Sequence, residues 1–466
     1  MLRSRVIRQQ LQELCMNSRT LFPVWAVTAL MLAAAAPARA QSQAPSAAVT
    51  FSKDVLPILQ KNCQSCHRPG EIGPMPLLSY TQARPFARAI KSATQSKKMP
   101  PWFADSSVQH YANDMSLSTA DIDTLAAWVD NGAPEGDSRD APPARQFVDG
   151  WNIGAPDKVI EMPEPYRVPA TGTIEYTYVI LPTHFTEDTW VQALEVRPGN
   201  RALMHHAVLY ARTPESKWLR EYPVGIPFVP APRPGTKQRS SDGDRTSEGS
   251  LADEWLVGYV PGAPPYTLPP STAFLVKAGS DFVLQLHYTA NGTAGSDQSR
   301  IGMVLSKEPP AKRAFIGLVN DGSFVIPPGD PSYEARASVT LAADVELLSA
   351  GPHMHLRGKA MDLRAVYPDG RAEMLFHVPR YDFNWQQIFA FDAARLAPRG
   401  TRLEVVGVWD NSPANRFNPD PRAEVHWGDQ SWEEMLLSIV TMSIDPKTDV
   451  NKLFERPKKK SEESAH

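Results

Sequence analysis

The sequence predicts a multidomain chain: a small all-α domain followed by two all-β antiparallel sandwiches of jelly-roll type. Three observations predict it. A Cys-x-x-Cys-His run, Cys63-Gln64-Ser65-Cys66-His67, lies between two stretches of helical periodicity. Beyond residue 145 the texture changes to short alternating segments broken by Pro and Gly. The 466 residues include 44 Pro and are 42% hydrophobic, which suits a loop-rich, β-leaning chain with enough apolar residues for a core. The length is that of about three domains at roughly 150 residues each. The boundaries read as a leader over 1–40, the α domain over 41–140 and a linker over 141–164. The sandwiches follow over 165–310 and 311–448, with a charged, disordered tail over 449–466.

Arg3, Arg5, Arg8 and Arg19 make the leader basic, Leu21 to Ala36 is apolar, and Ala38-Arg39-Ala40 is a small-x-small cleavage site. An apolar run of about sixteen residues falls short of the roughly twenty needed to span a bilayer. Cleavage and export, to a periplasm or its equivalent, are therefore expected, with an uncleaved anchor as the alternative. After cleavage no membrane embedding is expected. Residues 1–40 hold five Lys/Arg and one Asp/Glu, so losing them moves the formal charge from −3 to −7. That balance disfavours nucleic acid or an anionic membrane surface as partner. Of three cysteines, Cys15 leaves with the leader, and Cys63 and Cys66 remain, with none to spare for a structural disulfide.

Residues 41–50 form a Gln/Ser/Ala/Pro linker. In the Cys63–His67 run the thiols can add to haem vinyl groups and His67 can ligate the iron, giving one covalently bound haem c. A thioredoxin-like pair would want a βαβ surround, and a zinc site would want more cysteines. Asp54 to Asn62 reads as a short helix with Pro57 in its first turn. Ser118-Thr119-Ala120-Asp121 opens a second, with Ile122, Leu125, Ala126 and Val129 on one face and Gly132 as the stop. These helices around the motif, with Trp128 in the second, resemble a monohaem cytochrome c domain. Met99, stiffened by Pro100 and Pro101, is the foremost candidate for the second axial ligand, with Met75, Met115 and His110 as alternatives. His/Met ligation raises the potential and suits electron transfer, so an external electron donor to the haem is expected.

Trp190 to Val196, His205 to Tyr210, Phe282 to Thr289, Arg402 to Trp409 and Leu436 to Ile444 read as antiparallel strands, and Pro230 to Gly249 as a polar, flexible insertion. Val345 to Leu348 reads as another strand, running toward His353-Met354-His355. If that strand continues, His353 and His355 share a face and can chelate a metal. His205 and His206 are adjacent, so they can share one metal only at a strand end or bulge. Singly, each of these histidines, and His287 in mid-strand, has the plainer reading of a structural residue.

Their order along the chain resembles the copper type II, ascorbate-dependent monooxygenases, which include peptidylglycine α-hydroxylating monooxygenase and dopamine β-monooxygenase. The motifs are Met204-His205-His206, Gln285-Leu286-His287-Tyr288, His353-Met354-His355-Leu356 with Gly358-Lys359, and Glu433-Glu434-Met435, spread over roughly residues 165–445. The resemblance implies two copper ions. His205, His206 and His287 would hold the electron-relay copper in the first sandwich. His353, His355 and Met435 would hold the oxygen-activating one in the second, where a soft thioether favours Cu(I). Met442 is the alternative thioether. His184, His377 and His426 have no place in the pattern, with His426 the closest to an exception because it precedes Met435 by nine positions in sequence.

Three departures qualify the resemblance. Gly351 stands where the peptide-amidating members carry an Arg, and Leu437 and Ile439 stand where they carry Asn and Tyr. A small apolar or neutral organic substrate, with O₂, is therefore expected in place of a carboxylate-ended peptide. The β region has no cysteine, unlike the disulfide-rich animal enzymes. The chain also brings its own haem, which implies that the cytochrome domain replaces ascorbate as reductant in a C–H hydroxylation. Two other functions use the same ligands: copper–haem electron transfer or copper handling without oxygenation, and substrate oxidation with electrons passed outward through the haem.

Overall fold

The computed structural model describes residues 48–148, 150–230, 253–261 and 268–455. The expected leader, and all but Pro230 of the expected insertion, lie outside these residues. No helix among the described residues is long and apolar enough to cross a membrane. The described chain is mostly β-sheet, with its longer helices confined to the N-terminal part.

Four α-helices organise that part among the described residues: Leu56–Asn62, with Pro57 tolerated in its first turn, the single turn Tyr80–Ala83, Ala87–Gln95 and, last, Thr119–Asp130. The first continues a single π turn, Phe51–Val55, that the expected start at Asp54 did not include. Thr119–Asp130 begins as the capping pattern requires. Ser118 Oγ accepts the Asp121 amide at 3.1 Å and donates to the Asp121 carboxylate at 2.8 Å. The helices share a core of their own around Val55, Leu59, Leu125 and Trp128, all 0% exposed.

The β part contains an eight-stranded sheet. From edge to edge it runs Lys158–Glu161, Arg300–Leu305, Thr189–Arg197, Thr272–Val276, Lys312–Asp321, Leu436–Ile444, Val345–His353, Phe389–Ala397. A four-stranded sheet (Thr177–Pro182, Asp281–Tyr288, Met204–Arg212, Asp253–Tyr259) accompanies its first half. A five-stranded sheet (Ala372–Val378, Gly358–Val366, Arg402–Trp409, Tyr333–Leu341, Phe454–Glu455) accompanies its second. The two halves meet through a short parallel pairing, Lys312 with Thr272 and Arg313 with Ala273. One apolar core runs through all three sheets.

Three stretches differ from expectation. Lys158–Glu161, assigned to the linker, is an edge strand antiparallel to Arg300–Leu305. The chain just before it is anchored by the Glu195 carboxylate, which accepts the amides of Asn152 and Ile153. The tail was expected to be disordered from residue 449, yet Leu453 is 1% exposed and Phe454–Glu455 pairs with Thr340 and Leu341. Two apolar residues with a sheet edge to cover keep it ordered. Trp102, Ala104 and Tyr111, counted with the α domain, pack into the β core instead.

Candidate metal centre

His205 and His206 open the strand Met204–Arg212, and His287 faces them from Asp281–Tyr288. The ladder is irregular between Met204 and His206, and this bulge lets two adjacent imidazoles face the same way. The three ring centroids stand 4.9 to 5.1 Å apart, and one nitrogen from each lies within 4.8 Å of the others. The Nδ1 atoms of His205 and His206 are 3.0 Å apart. Two nitrogens bound to one ion at roughly 2.0 Å, at near a right angle, stand about 2.9 Å apart, so the spacing suits a shared metal. His205 Nε2 and His287 Nδ1 are buried without a hydrogen-bond partner. Burial pulls the His205 imidazole down to about 4, despite Asp382. It holds His206 and His287 well below the usual range, with neighbouring histidines adding to the effect. All three are neutral at pH 7, as metal ligands must be.

The second cluster is built differently. His353 ends the strand Val345–His353, so His355 lies just beyond it and not within it. His353 pairs across the sheet with Leu437, two residues past Met435, which brings distant parts of the chain together. Met435 is 2% exposed and lines a cavity with His353 and His355. Met442, the alternative thioether, is buried mid-strand opposite Leu347 and Phe315 and is not among the residues lining that cavity.

Each imidazole here is oriented through Nδ1. His353 Nδ1 meets Gln386 Oε1 at 2.6 Å, and His355 Nδ1 meets the Glu433 carbonyl at 3.1 Å. Both bonds present Nδ1 as donor and leave Nε2 as the ligand atom, the arrangement usual behind a metal-bound histidine. His355 Nε2 is buried and unpartnered. Burial lowers His353 to about 4 and His355 to about 3.

Glu434, which the motif contains but gives no role, is fully buried. Its carboxylate accepts the amides of His355 (2.8 Å) and Arg357 (2.6 Å) and the indole of Trp409 (2.9 Å). Burial pushes it up to about 7 against these donors.

Sequence reasoning missed the loop that joins the clusters. Phe383 stacks on His205 at 5.1 Å and lies 6.1 Å from the His287 ring and 6.0 Å from the His355 ring. Phe383 thus touches rings of both clusters. Three residues on, Gln386 holds His353. Tyr381 Oη accepts the Met354 amide at 3.1 Å and donates to its carbonyl at 2.7 Å. The available signal was local: the aromatic and amide residues of Tyr381-Asp382-Phe383-Asn384-Trp385-Gln386-Gln387, without Pro or Gly.

His206, His353, His355 and Met435 line one cavity of about 510 Å³. Its walls are mainly aliphatic and aromatic, Ile439 included, and no Lys or Arg lines it among the described residues. Gly351 lies against Ile388, which lines the cavity. A Cβ there would come within 2.6 Å of Ile388 Cδ1 and 2.7 Å of the Gln387 carbonyl, so no side chain fits.

Cys63 and Cys66 are free and half-buried. Burial pushes Cys63 up to about 12 and also raises Cys66, which disfavours thiolate chemistry there. His67 Nδ1 lies 3.1 Å from the Met75 carbonyl, which leaves Nε2 as the ligand atom. Met99 is half-buried on the loop after Ala87–Gln95, its amide on the Ala93 carbonyl, whereas His110 is exposed.

This segment is tied to the first histidine cluster. Glu71, four residues past His67, pairs with Arg68 at 2.8 Å and with Arg201. Arg201 stands four residues before His205. Tyr259 pairs with Ala207, lines the cavity, and is raised by burial, with the charges of Glu71 and Cys66 adding to the shift.

The remaining histidines have local roles. His377 pairs with Asp362 at 2.6 Å and half-exposed His426 with Glu424 at 3.0 Å, while His184 lies between strands with a φ of 57°.

No protein-family model matches the chain, and no curated protein matches it. Among solved structures it is similar to the VP2 subviral particle of infectious bursal disease virus, at 10% identity over 64% of this chain and 76% of that one, with a TM-score of 0.17. The Gt strain of that virus matches at 9% identity, over 64% and 73%, also with a TM-score of 0.17. Likeness at that level carries no argument about this chain.

Proposed function

We propose that the chain is an exported, copper-dependent monooxygenase that hydroxylates a C–H bond of an apolar substrate, with its own c-type haem as electron source. One observation carries the reading: two histidine clusters with buried, unpartnered ring nitrogens adjoin one apolar cavity. The balanced reaction is RH + O₂ + 2e⁻ + 2H⁺ → ROH + H₂O. When bound, copper supplies one-electron redox chemistry and O₂ activation, and haem c supplies electrons singly.

The chain's own residues do the rest. His205, His206 and His287 offer three neutral imidazoles, and His353, His355 and Met435 offer two imidazoles and a thioether. Gln386 and the Glu433 carbonyl fix the ring orientations in the second set. Cys63 and Cys66 would carry the haem and His67 would ligate it, with Met99 as the second axial ligand. The cytochrome c and two-sandwich assignments belong to the same reading. The half-sheets with their accompanying sheets support two sandwiches, and the separate helical core supports a small α domain.

The test is a single turnover. Copper-loaded protein with dithionite-reduced haem is mixed with O₂, and haem oxidation is followed optically. Oxidation should slow at least tenfold in His353→Ala and Met435→Ala. Unchanged rates reject the oxygenase reading and leave copper–haem electron transfer.

A further inference from the structure

The segment from Trp102 to Asn113 belongs to the helical region by sequence, yet it is fastened to the rim of the cavity. Asp105 donates its amide to the His377 carbonyl at 2.9 Å, and Tyr111 Oη donates to the Leu375 carbonyl at 3.1 Å. Tyr111 bridges Phe391 in antiparallel fashion, and Ala112 donates its amide to the Ala390 carbonyl at 2.9 Å. Asn113 makes the contact bidentate. Its side chain donates to the Ile388 carbonyl at 2.8 Å and accepts the Ala390 amide at 2.9 Å. Trp102 and Tyr111 pack their rings on Phe389, each at 5.1 Å. The segment thus covers the edge strand Phe389–Ala397, where an open edge would otherwise face solvent.

Where this strap meets the strand, the cavity opens. His206, His353, His355 and Met435 at one end are between 1% and 8% exposed. Ala112, Gly258, Ala393 and Ala394, which also line the cavity, are exposed and small. They form its mouth. The volume, about 510 Å³, falls within the range of about 300–1,000 Å³ that holds drug-sized molecules. Among the described residues the lining offers no cation to pair with an anion, and Asp392 and Asp429 lie among the lining residues. An anionic guest would lose hydration there without compensation.

We propose that Ala112 on the strap and Ala394 on the edge strand are specificity-determining residues at the mouth of the substrate cavity, which admits apolar molecules bearing no negative charge. The inference rests on reading the cavity as the substrate site. It adds that the site is incomplete without the helical region.

The test uses two probes with one skeleton, neutral N-phenyl-1-naphthylamine and anionic 8-anilino-1-naphthalenesulfonate. Equilibrium dialysis is run on the full-length protein, with copper and haem content measured in the same samples. The neutral probe should bind at least tenfold more tightly than the sulfonate. Ala112→Trp and Ala394→Trp should each weaken it at least tenfold, with circular dichroism and copper content unchanged. Equal affinity for the two probes, or wild-type binding in a folded Trp variant, overturns the proposal. Should one Trp variant fail to fold, the other decides. Loss of copper binding with this probe pattern intact would reject the oxygenase reading and leave the mouth assignment standing.

Discussion

The two histidine clusters are near neighbours, but they are held by different means. In the first, rings hold rings: Tyr176 stacks on His287 at 4.4 Å and Phe383 on His205 at 5.1 Å, and a bulge supplies the adjacency. In the second, hydrogen bonds hold rings, through Gln386 and the Glu433 carbonyl, while the Glu434 carboxylate holds the His355 backbone amide. Stacking fixes a ring's plane but leaves its position along that plane soft. A short hydrogen bond to Nδ1 fixes both the ring and its tautomer. The first cluster therefore suits a site whose metal changes oxidation state with little to exclude. The second suits one where a ligand atom must be aimed into a cavity.

The largest effect expected is common to both clusters and shows in the metal-free chain. Folded, His205 and His353 take a proton only near pH 4 and His355 near 3, against an unperturbed 6.5. The unfolded chain therefore binds more protons over that interval, and stability falls as pH drops from 6.5 toward 4. The loss is about 1.4 kcal/mol per pH unit for each such group. Urea titrations at stepped pH measure it. Replacing the first cluster by Gln at all three positions should flatten this slope more than replacing His353 and His355. Equal slopes would contradict the burial assigned to the triad.

Glu434→Ala strands three donors, two amides and an indole, in a closed interior. It should cost about 3–5 kcal/mol, with Glu434→Gln well below that, measured by denaturant unfolding. Gln386→Leu removes the acceptor behind His353, so copper affinity should fall about 10–100-fold at the second site alone. A competitive chelator titration resolving the two sites checks this, and an equal loss at both would erase the distinction. Tyr176→Leu removes the stacking partner of His287 and should cost about 1 kcal/mol of stability, read from the same unfolding curves.

What the sequence disclosed follows from what repeats along it. Arg402–Trp409 and Leu436–Ile444 appear at their expected limits because their residues recur with a strand's period between turn signals. Thr119–Asp130 appears because Ser118 and Asp121 cap it chemically. The histidines were legible because their residue type is rare, and the need for a strand end or a bulge at His205-His206 followed from strand geometry alone. Phe383 and Gln386 were not legible, since a loop has no period and an amide behind an imidazole looks like any surface Gln. The strap was hidden for a related reason. Its partners are backbone groups of residues 375–390, which no side-chain pattern announces. The continuous eight-stranded sheet was hidden too, because two paired residues, Lys312 and Arg313, join its halves.

The proposed function requires two separate metal sites and one haem in this chain. The copper-to-haem ratio, measured by elemental analysis and pyridine haemochrome on wild type, His206→Ala and His353→Ala, tests it most directly. Two coppers and one haem per wild-type chain are expected, falling to one copper in either variant with haem unchanged. A wild-type ratio of one, zinc in place of copper, or both coppers lost together in a single variant would contradict it.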